Sequence, residues 1–232
     1  MIPALPRSCA ALAASLLLAA ALPAGAVSLL WETADYGSGT DTASVSAAAA
    51  DASGNLFVAG TYEAGADLRC KVVKFAAGTG AVAWERYCPV SGAQADRPAG
   101  LAVDGGGNAI LAIRSATGSS SSASRIVKYA AGDGAVIWDQ PYGMPASGAD
   151  SVNAIALDAA GNVLATGSTG SADAQWTTAK YAASSGTVLW SQSFNPDAGG
   201  SDEGTAIAVD GAGNVLVSGG AANGTLAPRD VV

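Results

Sequence analysis

Four aspartates, Asp51, Asp104, Asp158 and Asp210, each stand at the head of an Asp-x-x-Gly-Asn pentapeptide. A carboxylate with a carboxamide four residues on could form part of a cation site. A calcium loop, however, gathers several oxygen donors within one short loop, and each pentapeptide here offers one acid and one amide. An aspartate that accepts backbone N–H groups, followed by Gly or Asn able to adopt positive φ, is also what a tight turn between strands requires. The motif is therefore expected to be a turn. A second set of acids, Asp96, Asp150 and Asp202, stands eight residues before the turn aspartates, with Asp41 ten before the first. If the strands that follow line a channel, these acids could form a rim that takes a cation or a basic ligand. Alternatively they cap strand ends. Paired carboxylates are the tools of glycoside hydrolysis, but the sequence sets no pair apart. The chain has no histidine, which removes the commonest general base and the histidine-containing triads.

Two cysteines follow the N-terminal region, Cys70 and Cys88. If Ala76 pairs with Val82 across the intervening glycine turn, antiparallel register sets Cys70 opposite Cys88, within reach of a disulfide. A nucleophilic cysteine would lack its histidine. The N-terminus carries Arg7, an apolar run over residues 9–22 and the small triplet Ala24, Gly25, Ala26. This reads as a signal peptide over residues 1–26, with Val27 the first mature residue and an apolar run too short to anchor in a bilayer. Export to an oxidising compartment favours the disulfide. The expected location is secreted, periplasmic or cell-surface, with no membrane-spanning segment. The net charge of −8 opposes phosphate backbones, so nucleic acid is excluded as a partner, and no cofactor or metal is expected.

The elements that position these residues follow from a repeat. The Asp-x-x-Gly-Asn units recur every 52–54 residues, and a second marker, Lys-aromatic-Ala-Ala-x-x-Gly-x-Val-x-Trp, begins at Lys74, Lys128 and Lys180. Trp31, Trp84, Trp138 and Trp190 keep the same period. Each full unit contains four short runs of Val, Leu, Ile and Ala separated by Gly, Asn, Asp and Ser, which reads as four antiparallel strands. The polyalanine at 46–51 prefers a helix by propensity, but its place in the repeat makes it a strand. Four strands per period of this length is the arithmetic of an all-β β-propeller, whose blades are covered by their neighbours. The propeller occupies residues 27–232, in units of about 38–91, 92–145, 146–198 and an incomplete 199–232. Residues 28–37 match a fourth strand with no first three before them. Either that strand closes a four-bladed ring or the array is incomplete, leaving an open edge prone to self-association. The repeated lysines are expected to form a solvated outer row.

The segment from Ala154 to Gly170, AIALDAAGNVLATGSTG, followed by the Lys-Tyr strand and the tryptophan strand, resembles the bacterial SBBP-type β-propeller repeat family over essentially the whole mature chain. The resemblance implies an exported or cell-surface propeller and no active site. Trp176 departs from the repeat, since its equivalents are Cys70 and Ser124. An aromatic out of pattern is a candidate surface contact or a local packing residue. The expected function is a non-catalytic binding or structural module for a protein or glycan partner. The alternatives are a propeller-borne lyase or hydrolase using carboxylates, or a truncated product without independent function.

Overall fold

A computed structural model of the chain describes residues 11–18, 28–36, 43–64, 67–89, 95–116, 122–143, 149–170, 174–195 and 200–221. The expected cleavage site, Asp41 and the tail beyond Ala221 lie outside these residues. The described residues form strands and no helix, as the alternating sequence predicts. A hairpin of β1 (Ala11–Leu18) and β2 (Ser28–Tyr36) comes first. Two four-stranded antiparallel meanders follow, β3 (Ala43–Ala50), β4 (Leu56–Ala64), β5 (Asp67–Phe75) and β6 (Val82–Tyr87), then β7 (Ala95–Val103), β8 (Ala109–Ala116), β9 (Ser122–Tyr129) and β10 (Val136–Tyr142). A single parallel bridge, Leu68 to Ala95, links the two. The third is β11 (Ser151–Leu157), β12 (Val163–Thr169), β13 (Gln175–Tyr181) and β14 (Val188–Phe194). The fourth unit has β15 (Glu203–Val209) and β16 (Val215–Gly220), paired only with each other.

The polyalanine lies in β3, where Ala47 pairs with Ala59 and Ala50 with Leu56, so sheet pairing overrides its helical preference. Residues 28–36, which match the fourth strand of a unit, pair with Ala11–Leu18 in the full chain. No strand pairing closes the array among the described residues.

The core is a set of junctions between units. Period-two alternation sends Leu111, Ile113, Val127 and Tyr129 of the second unit to one face, where they join Phe57, Val72 and Trp84 of the first. Ile110, Ala112 and Ile126 point the other way, against Val152, Val163 and Tyr181 of the third. The middle sheet is thus buried on both faces, which explains why β8 is apolar at consecutive positions. The junctions of the first unit with the second and of the second with the third are each keyed by a tryptophan lying on a glycine. A Cβ on Gly134 would come within 2.7 Å of the Trp84 ring, and one on Gly186 within 2.7 Å of the Trp138 ring. Both glycines also have positive φ, +71° and +70°.

Gly78 has a positive φ of +75° but nothing within 4 Å of the added carbon. Gly78→Ala is therefore expected to cost about 1 kcal/mol, the backbone term alone, and Gly134→Ala about 3 kcal/mol because a clash is added. Chemical denaturation measures both; equal costs would contradict the packing of Trp84 on Gly134.

Candidate functional site

The Asp-x-x-Gly-Asn turns share one geometry. In each, the aspartate Oδ1 accepts the backbone N–H of the second and fourth residues after it, at 2.8–2.9 Å, and the asparagine side chain donates back to the carboxylate. The glycines Gly54, Gly107, Gly161 and Gly213 sit at φ between +77° and +87°, a conformation that glycine adopts without Cβ strain. All three signature residues are therefore used by the turn.

The asparagine does one thing more. Its Oδ1 accepts the N–H of the second alanine in the Lys-aromatic-Ala-Ala hairpin of its own unit, Asn55 from Ala77, Asn108 from Ala131 and Asn162 from Ala183. That same alanine turns its carbonyl towards the preceding unit. Ala131 accepts Lys74 Nζ at 2.9 Å and the Trp84 indole N–H at 3.1 Å. Ala183 accepts Lys128 Nζ at 2.8 Å and the Trp138 indole N–H at 3.2 Å. Each lysine is also paired with the turn aspartate of its own unit, Lys128 to Asp104 and Lys180 to Asp158 at 2.8 Å, and Lys74 to Asp51 at 3.8 Å. One polar chain thus runs from Asp51 through Lys74, Ala131, Asn108, Asp104, Lys128, Ala183, Asn162 and Asp158 to Lys180.

This geometry corrects the expectation of a solvated lysine row. Lys74 and Lys128 are buried, at 9% and 6% exposure. Their ammonium groups are held inside because a carboxylate balances the charge and a carbonyl accepts a hydrogen bond from a further N–H, the conditions under which a buried lysine is tolerated. The carboxylates respond in kind. Burial alone would raise the pKa of Asp158, but hydrogen bonds from Lys180 and Asn162 outweigh it and lower it from the ordinary 3.8 to about 2. Asp51 and Asp104 are lowered against the same burial effect, by Asn55 and by Lys128 and Asn108.

Cys70 and Cys88 form a disulfide with Cα atoms 5.3 Å apart. The expected route to it needs one amendment. Val82 pairs with Phe75 rather than Ala76, and a bulge between Lys74 and Phe75 then brings Lys74 opposite Trp84 and the cysteines opposite each other. The equivalent cross-strand position is filled by Ser124 and Tyr142 in the second unit and by Trp176 and Phe194 in the third. These are three chemically different answers at one place in the repeat.

The second set of acids lies inside the protein. Asp96, Asp150 and Asp202 are 1%, 8% and 2% exposed. Ser115 Oγ donates to Asp96 at 2.5 Å. The carboxylate of Asp150 rests against Gly143, where a Cβ would come within 2.5 Å of it. The N–H of Asp202 donates to the Ala174 carbonyl at 2.7 Å, while its Oδ2 has no hydrogen-bond partner among the described residues. These acids tie the start of each unit to neighbouring strands. Among the described residues no three of His, Cys, Asp and Glu converge.

Trp176 is half-buried. Its indole N–H donates to Thr166 Oγ1 at 3.0 Å and its ring meets Phe194 edge-on, with centroids 5.8 Å apart. With Trp190, Phe194, Val215 and Val217 it lines a groove of about 400 Å³ between β13, β14 and β16. The groove was not foreseen from sequence, although Phe194 in place of Cys88 and Tyr142 was a readable signal. No family model and no curated protein matches the chain. No helix among the described residues is long and apolar enough to cross a membrane.

Two outcomes test this site. Lys128→Met leaves the Asp104 carboxylate without its countercharge and the Ala183 carbonyl with the Trp138 indole N–H alone, and is expected to cost about 3 kcal/mol. Lys180→Met, which loses one pairing, should cost about 1 kcal/mol; equal costs in urea denaturation would contradict the bridging role of Lys128. The depressed carboxylate pKa values contribute stability above about pH 4 that is lost as the pH falls towards 2. Asp158→Asn should flatten that acid decline in a pH series of unfolding midpoints, and an unaltered slope would refute the assignment.

Proposed function

We propose that the chain is an exported, non-catalytic propeller of the SBBP repeat type that binds a protein partner. One observation carries the reading. The polar residues that recur in every unit are engaged in the junctions and turns, so the repeat chemistry serves architecture rather than a reaction. Sheets whose faces are covered by neighbouring sheets support the propeller reading. First strands that follow one another from unit to unit support it as well: β3 neighbours β7, β7 neighbours β11 and β11 neighbours β15. The disulfide supports export. A groove whose lining is mainly apolar, with Thr178, Gln192 and Ser193 as its polar groups, favours a protein over a glycan, whose many hydroxyls need more polar partners.

Expression with residues 1–26 intact in a bacterial host, followed by fractionation, N-terminal sequencing and mass measurement, tests the reading. The expected product lies outside the cytoplasm, begins at Val27 and carries the oxidised Cys70–Cys88 pair. A cytoplasmic product that begins at Met1 and contains free thiols would overturn it.

A further inference from the structure

Two arginines face each other at one end of the junction between the second and third units. Arg97 on β7 lies directly opposite Arg114 on β8 in the antiparallel register, so their side chains share one face, and both residues are exposed. That face is set by the alternation along β8: Ile110 and Ala112 turn into the junction with the third unit, and Arg114 follows them. Like charges set opposite each other on a sheet destabilise it. The repeat does not ask for them. The same pair of positions, each just before the bulge in a first strand, holds Ser44 and Thr61 in the first unit, joined by a hydrogen bond of 2.8 Å. It holds Ser151 and Ser168 in the third unit and Glu203 and Gly220 in the fourth.

One of the two guanidiniums is held in place, and neither has a countercharge. Arg114 Nη2 donates to the Val152 carbonyl at 3.1 Å and to Asn153 Oδ1. Asn153 is the extra residue of the bulge in β11, and its Nδ2 donates in turn to the Gly204 carbonyl at 2.8 Å and to Glu203 Oε2 at 3.3 Å. The two ends of one carboxamide therefore separate Glu203 from Arg114. Asp96, the neighbour of Arg97, points to the opposite face, where Ser115 donates to it. Among the described residues no carboxylate pairs with Arg97 or Arg114, and Arg97 donates no hydrogen bond. Arg125 in the adjacent strand shows the contrast, its Nε and Nη2 both meeting Asp139 at 2.7–2.8 Å.

We propose that Arg97 and Arg114 form a site for a carboxylate presented by the protein partner. The guanidinium fork matches the two oxygens of a carboxylate, and such a group offsets the repulsion between the facing arginines that the free protein carries. A single negative charge suits the position better than a doubly charged phosphate, because the chain has a net charge of −8 and Glu203 stands one carboxamide away. The proposal rests on the reading of the chain as a protein-binding module and adds the chemistry of the group it recognises.

The test is titration of the folded full chain with the peptide acetyl-Gly-Glu-Gly-amide in low salt, followed through the arginine Nε–H resonances. Saturable shifts at Arg97 and Arg114 are expected, with the counterpart peptide carrying Gln in place of Glu binding about tenfold more weakly or worse. Arg97→Ser, which takes the residue of the third unit, should weaken binding about tenfold and raise the urea midpoint of the free protein in low salt. Equal binding of the two peptides, or undiminished binding to Arg97→Ser, overturns the proposal. So does an equal loss in Arg125→Gln, on the opposite face of the sheet, since the attraction is then unspecific. A lowered midpoint for Arg97→Ser overturns it too, by making the arginine a structural residue. Acetate that binds as tightly as the peptide overturns the assignment to a partner, because a free small acid is then the occupant. A null titration of a protein correctly exported and oxidised sinks this proposal alone and leaves the wider reading standing.

Discussion

Lys128 sits between a carboxylate of its own unit, Asp104, and a carbonyl of the next, Ala183, with both contacts at 2.8 Å. Removing a lysine and an aspartate from water is expensive, and the pair holds only if every remaining proton and lone pair finds a partner. The rest of the structure meets that condition. Asn108 donates to Asp104 and accepts from Ala131, the turn glycine lets the aspartate cap its own backbone, and the carbonyl of Ala183 is held in place because Asn162 fixes its N–H. A residue change at Lys128 or Asp104 leaves a buried charge unpaired, and a change at the others removes a hydrogen bond that supports the pair.

The apolar side of the same junctions obeys a matching rule. The tryptophans donate to the carbonyls that the lysines use, so the ring that fills the junction is oriented by a hydrogen bond and seated on a glycine. Burial of the middle sheet on both faces makes each unit depend on its neighbours, as in other repeat architectures where stability is the sum of units and interfaces. At the last junction Lys180 keeps its pairing with Asp158 and Asp210 its turn with Asn214, while among the described residues no carbonyl is shared by Lys180 and Trp190.

Much of the fold was legible in the sequence because the repeat imposes its periods on residues of strong local preference. Gly and Asn at fixed places in the turns, and Val, Ile and Leu between them, specify strands and their connections. The disulfide was legible from register, although a bulge at Phe75 was invisible because one extra residue in a hairpin leaves no compositional mark. The lysines were misread as a solvated row since sequence shows their recurrence but not the carbonyl of the next unit, and a partner contributed from 55 residues away decides their burial. The acids Asp96, Asp150 and Asp202 were read as a rim or as strand caps, and their burial at the start of each unit depends on side chains such as Ser115 that carry no repeat signature. The groove at Trp176 depends on how β13, β14 and β16 sit together, and Phe194 in place of Cys88 and Tyr142 was its one mark in the sequence.

The central claim is that the first three units are held by lysine and tryptophan sharing one carbonyl across each junction between them. A double-mutant cycle in urea with Lys128→Met and Trp138→Phe measures this directly, because both side chains donate to Ala183. A coupling of about 0.5 kcal/mol or more is predicted, against additivity when Lys128→Met is combined with Trp190→Phe, whose indole N–H does not donate to Ala183. Additivity in the first cycle, or equal coupling in both, would contradict the account.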